Sequence, residues 1–149
     1  MILTYQYVFP SLGYRPQMST LLEPVNPPGA SFPGVSQGMV ISGGRLMVLS
    51  GHVPADASGN LVTGDFEAQL NASFENVGRT LTAAGIGFES VARFTIYVTD
   101  YDPSMIPILR RIRSRFVNTA TPPASALVGV AALYDSRVRV EIDALAVVP

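Results

Sequence analysis

Phe66, Leu70, Phe74, Val77, Leu81 and Ala84 recur at spacings of 4, 4, 3, 4 and 3 residues, which draws one apolar stripe down an α-helix. Asp65, following Gly64, supplies an N-cap, and Gly85 stands where a left-handed C-cap belongs. A helix with a single apolar face must lie on another layer, and the rest of the chain reads as strands that can form one. Residues 39–41 and 45–49 flank Ser42-Gly43-Gly44, a hairpin signal in which glycine supplies positive φ. Residues 91–98 are rich in β-branched and aromatic side chains and end at Thr99-Asp100. A second helix is expected to start at Ser104, with Ile106, Leu109, Ile112 and Phe116 inward and Pro107 tolerated in the first turn. Thr121-Pro122-Pro123 breaks the chain. Residues 125–132 and 138–148 then read as two strands joined through Tyr134-Asp135-Ser136. Two helices cannot cover both faces of such a sheet. The expectation is an α+β fold, a mostly antiparallel sheet with two helices on one face.

The chain ahead of this pattern has a different texture. Residues 1–9 alternate loosely, as a short strand would. From Pro10 to Gly34 there are six prolines and three glycines, too many fixed or permissive positions for a helix or a central strand. Residues 1–30 are therefore read as an arm and 31–149 as the domain, with regular structure beginning after the arm. In the last strand Val138, Val140, Ile142, Ala144 and Ala146 face one way. The opposite row, Arg139, Glu141, Asp143, Leu145 and Val147, turns from polar to apolar. Hydrophobic residues make up 48% of the chain and charged ones 14%, against about 25% in an average domain. More apolar surface is present than one small globule hides, so subunits are expected to pack sheet against sheet.

The alphabet narrows the chemistry. Cysteine is absent, and all ten basic residues are arginine, so thiolate, iron–sulfur and Schiff-base lysine chemistry are excluded. The single histidine, His52, rules out polyhistidine metal sites. Net charge is −1, which gives no global field for nucleic acid or an acidic membrane. No apolar run reaches the roughly 20 residues of a membrane span. The amino terminus reads poorly as a signal peptide, and a cytoplasmic location is expected. Arg110, Arg111, Arg113 and Arg115 read as a solvated helix flank near the C-terminal dipole, without the interleaved aromatics of a nucleic-acid platform.

Four segments carry a resemblance. Ser50-Gly51-His52-Val53-Pro54 resembles the S-G-Q-x-P signature of the Rid (reactive intermediate deaminase, YjgF-type) family, and residues 69–76 its Q-T-x-x-x-x-x-N helix. Pro123-Ala124, with Val128 and Ala131-Ala132-Leu133, is similar to P-A-R-S-x-V…A-x-L, and Val140-Glu141-Ile142 to the V-E-I ending. The resemblance implies a chorismate-mutase-like α+β fold in a homotrimer with small-molecule clefts between subunits. It also implies cofactor-free, metal-free hydrolysis of enamines or imines such as 2-aminoacrylate and 2-iminobutanoate to keto acids and ammonia. In that family an Arg fork holds the substrate carboxylate and a Glu of the last strand directs water. Here Glu141 stands at the Glu position, and Ser50 and Gly51 at the pocket wall.

The chain departs from the pattern elsewhere. Pro123-Ala124-Ser125-Ala126 replaces P-A-R-S, so Ser125 takes the place of the guanidinium. Val35 stands for the aromatic of G-P-Y-S-Q, Leu109 for an Asn of the second helix, and His52 for the signature Gln. Hydrogen bonds to charged groups are worth about 1.5–3 kcal/mol, so losing the anchor costs up to roughly 150-fold in binding. The small anionic imino acids are accordingly expected to be poor substrates, and a neutral or more apolar ligand a better one. His52 with Glu141 is the expected acid–base pair, lined by Ser50, Gly51, Val35, Leu109, Ala124, Ser125 and Ala126. The rival readings are a non-catalytic ligand-binding trimer and an RNA-cleaving translation inhibitor.

Overall fold

A computed structural model describes residues 21–29 and 32–149. The strand expected over residues 1–9 lies outside them. The element order is β1 (Leu22–Val25), β2 (Gly38–Ile41), β3 (Arg45–His52), α1 (Phe66–Ala83), β4 (Val91–Thr99), α2 (Met105–Arg113), β5 (Ala124–Val130) and β6 (Val140–Val148). The main sheet has the order β3-β6-β4-β5, antiparallel except for the parallel β4–β5 pair that α2 bridges. The strands expected to be joined by Tyr134-Asp135-Ser136 are therefore not neighbours: β4 lies between them.

The capping chemistry of α1 matches its sequence signals. The Asp65 carboxylate accepts from Ala68 N at 2.9 Å. At the other end Gly85 (φ 73°) donates to Thr82 O and Ile86 to Leu81 O, which closes the last turn on its own carbonyls. Phe66, Leu70, Phe74, Val77 and Leu81 are buried. Phe74 stacks on Phe116 beyond α2 with centroids 5.1 Å apart and meets Phe94 of β4 edge-on at 5.7 Å. The core is this aromatic cluster with Ile96, Val98, Ile112, Val140 and Ile142, sealed between α1, α2 and one face of the sheet.

Two expectations are corrected. Residues 39–41 and 45–49 do not form a hairpin: β2 pairs with β1 and β3 with β6. Gly44 (φ 82°) instead passes the chain from one sheet to the other directly over Val147, where a Cβ would collide with the Val147 side chain and the Val148 carbonyl. That cover also explains why Val147, expected in the open row, is buried. The Pro-rich arm, in turn, contributes β1. Pro24 fits there because β1 is one edge of a two-stranded pair and an edge strand can spare an N–H.

On the other face of the main sheet Arg93, Thr95 and Tyr97 of β4 lie in register with Leu145, Asp143 and Glu141 of β6. Leu46 and Val48 of β3, 60% and 71% exposed, continue that face opposite Val147 and Leu145.

Candidate functional site

Glu141 belongs to the open row of β6, next to the buried Val140 and Ile142, so strand alternation aims its carboxylate away from the helices. On β3 the register shifts between Leu49 and His52. This irregularity brings the Gly51 backbone under the Glu141 side chain: a Cβ on Gly51 would overlap Glu141 Oε1. Glycine at 51 is thus demanded by a close approach and not by its backbone angle. Glu141 is half-buried, and Gly51 and Ser50 are exposed beside it. The arrangement is a carboxylate held over an open stretch of main chain, able to accept a proton from water or a ligand. Next to it the Tyr97 hydroxyl donates to Asp143 Oδ2 at 2.8 Å, a bond that raises the phenol above its ordinary value of 10.0.

The same irregularity turns His52 to the opposite side of the sheet. His52 pairs with the buried Ile142, and its ring lies between Ser50 O (2.7 Å from Nδ1) and Thr80 Oγ1 of α1 (2.7 Å from Nε2). A carbonyl can only accept, so Nδ1 carries a proton. The structure does not bring His52 to Glu141: the histidine fastens β3 to α1 on the helix side. Gln69 and Asn76 of the same helix do similar work. Gln69 donates to Arg137 O and accepts from Arg139 N, both at 2.8 Å, while Asn76 donates to Val53 O at 3.2 Å.

The remaining expected wall residues gather elsewhere. Ser36 is buried, with its hydroxyl on Pro122 O at 2.5 Å and its N–H on Pro123 O at 3.2 Å, which seats half-buried Val35 beside the start of β5. Ala124 and Ala126 are in register with Arg93 and Thr95 on the open row, whereas Ser125 is in register with Phe94 on the helix side. Within one chain Glu141 and Ser125 therefore lie on opposite faces of the sheet. Leu109, expected at the pocket wall, is buried in the core. Nor do the arginines of α2 form a common solvated flank. Arg111 is engaged with both Glu67 oxygens at 2.7 and 2.6 Å, and Arg113 is buried. The burial of Arg113 is the feature that sequence reasoning missed, since its neighbours in the run are exposed.

Comparisons with known proteins agree with this architecture. A family model described as endoribonuclease L-PSP matches residues 31–148. The protein DfrA of Myxococcus xanthus is 38% identical over 113 residues, 75% of this chain and 83% of its own. A 2-iminobutanoate/2-iminopropanoate deaminase of Salmonella typhimurium is 33% identical over 131 residues, 87% of this chain and 98% of its own. Among solved structures, the Rid-family protein YyfB of Yersinia pestis, described as of unknown function, superposes with a TM-score of 0.81 at 27% identity, covering 86% of this chain and 99% of its own.

Proposed function

The chain belongs to the endoribonuclease L-PSP family, the Rid or YjgF-type proteins, and from that premise we propose that it assembles as a homotrimer with metabolite-binding clefts between subunits, where it hydrolyses a C=N or related bond. The observation that carries this reading is the seat of Glu141 over Gly51, because it puts a carboxylate beside an accessible backbone. The division of the candidate residues between two faces supports the intersubunit cleft: Glu141, Gly51 and Ser50 form one half and Ser125 belongs to the other. A neighbouring copy is needed to join them.

In the proposed reaction Glu141 takes a proton from water as the oxygen bonds to the imine carbon. That proton passes to nitrogen to give a carbinolamine; Glu141 then takes the proton of the new hydroxyl and returns it to nitrogen as the C–N bond breaks, so a carbonyl compound and ammonia leave. The site draws on no metal or organic cofactor. Ser125 offers a hydroxyl where a guanidinium fork would hold a carboxylate, so the proposed substrate is neutral or more apolar than 2-aminoacrylate or 2-iminobutanoate.

The test is to assay imine hydrolysis across a panel that includes both small acids, with wild type and Glu141→Gln. Loss of about 10²-fold or more in kcat with the amide, and slow turnover of the two acids, is the expected result. Activity indifferent to the substitution would remove Glu141 from the mechanism. Saturable calorimetric binding without product would replace catalysis by ligand carriage on the same trimer.

A further inference from the structure

Arg113, at the end of α2, is only 5% exposed. A buried cation is expensive unless a carboxylate faces it. All eleven Asp and Glu residues of the chain lie among the described residues, and so does the C-terminus. None of them lies within 4.0 Å of the Arg113 guanidinium; the two salt bridges are Arg111–Glu67 and Arg137–Asp135. Among the described residues the guanidinium also has no hydrogen-bond acceptor within bonding distance. Burial, and then the Arg110 charge beside it, lower its affinity for its proton, whereas a partnered arginine is shifted the other way.

The guanidinium opens into a cavity of about 210 Å³ lined by Pro33, Gly34, Arg110, Arg113, Ser114 and Thr119, together with Val117. Gly34 (φ 79°) fits closely against it: a Cβ there would come within 2.8 Å of an Arg113 terminal nitrogen. Two arginines thus line one partly open cavity with no carboxylate of this chain to balance them. The helix C-terminus contributes partial negative charge, worth a few tenths to 1 kcal/mol, well short of what a buried full charge requires. Cavities that accept drug-sized ligands run from roughly 300 to 1,000 Å³, so this one admits only a small group.

We propose that the cavity between α2 and the Pro33-Gly34 turn is a binding site for a small oxyanion, a phosphate or carboxylate group gripped by Arg113 and Arg110. The planar guanidinium of Arg113 offers two parallel N–H bonds to such a group, and Arg110 adds a second charge at the mouth. Gly51, Glu141 and Ser125 do not line this cavity, which adjoins the proposed cleft only through Gly34 beside Val35, so the test reads oxyanion binding and not turnover.

The test is thermal unfolding of the full chain with sodium phosphate, sodium acetate or sodium chloride at equal ionic strength and fixed protein concentration. Phosphate or acetate at about 100 times its Kd is expected to raise Tm by roughly 5–10 °C over chloride. Which of the two acts at lower concentration identifies the preferred oxyanion. Arg113→Met is expected to abolish the effect. Arg110→Gln, at an exposed position and so compatible with folding, is expected to weaken it about ten-fold. Equal Tm in all three salts would overturn the proposal. So would oxyanion stabilisation that survives in Arg110→Gln and Arg113→Met, or an Arg113→Met variant that loses only its assembly, which would assign the cavity to a carboxylate of a neighbouring copy.

Discussion

Gly51 and Glu141 constrain one another, and most of the candidate chemistry rests on that constraint. Gly51→Ala must push Glu141 aside, because the new methyl would occupy the place of its carboxylate. Gly51 is exposed, so the expected outcome is a loss of Glu141-dependent turnover of at least about ten-fold with a nearly unchanged urea midpoint. A large fall in the midpoint with full residual activity per folded molecule would contradict this. The reciprocal experiment concerns Ser125→Arg, which returns a guanidinium to β5. It is expected to improve kcat/KM for 2-iminobutanoate by about 10- to 150-fold if the missing fork is what limits that substrate. The Glu141–Gly51 pairing was legible as two separate motifs, each matching a known signature. Alternation counted from Val48 and Ser50 puts His52 on the face of Glu141, and only the irregularity between Leu49 and His52, which no local spacing announces, turns its ring to Thr80 instead.

Elements are held in place by side chains that the sequence presents as part of a signature. The apolar stripe and both caps of α1 were readable because local spacing determines them. What Gln69 does was not, since its partners, Arg137 and Arg139, are 68 and 70 residues away. It ties α1 to the entrance of β6 through two main-chain bonds. Gln69→Leu would strand a carbonyl and an N–H, with an expected cost of about 2–4 kcal/mol in chemical denaturation at fixed protein concentration. The same entrance is shaped by Asp135, whose carboxylate accepts from Arg137 Nε, Nη2 and backbone N. Those bonds hold its pKa at about 2, below the ordinary 3.8. A depressed carboxylate stabilises the fold above its unfolded pKa and loses that contribution as pH falls through its folded one. The difference in stability between wild type and Asp135→Asn should therefore be constant above about pH 5 and shrink towards pH 2. A difference that grew on acidification would show the sign to be wrong. The β2–β3 hairpin was misread for a related reason: Gly43-Gly44 announces a turn, but the partners on either side of it are chosen by long-range packing.

For the whole molecule, the decisive quantity is the apolar area that one chain leaves uncovered. Leu46 and Val48 stand exposed on the open face, with half-buried Leu145 in register between them and Arg93. Composition alone foretold such a surplus, but which strand would carry it depended on β3 lying at the edge of the main sheet. The polar end of the same face holds Glu141, Asp143 and Tyr97, so a neighbour that covers the apolar end is brought against the candidate carboxylate. Assembly and the proposed cleft are then a single event. Val48→Asp places an unpaired charge in that contact while touching nothing in the core between sheet and helices, since its side chain is 71% exposed in the single chain. The expected result is a shift in sedimentation from the proposed trimer to monomer, with far-ultraviolet circular dichroism unchanged and Glu141-dependent hydrolysis lost in proportion to the assembled form. Full activity in a monomeric Val48→Asp protein would show that one chain suffices, and would move the site off the subunit boundary altogether.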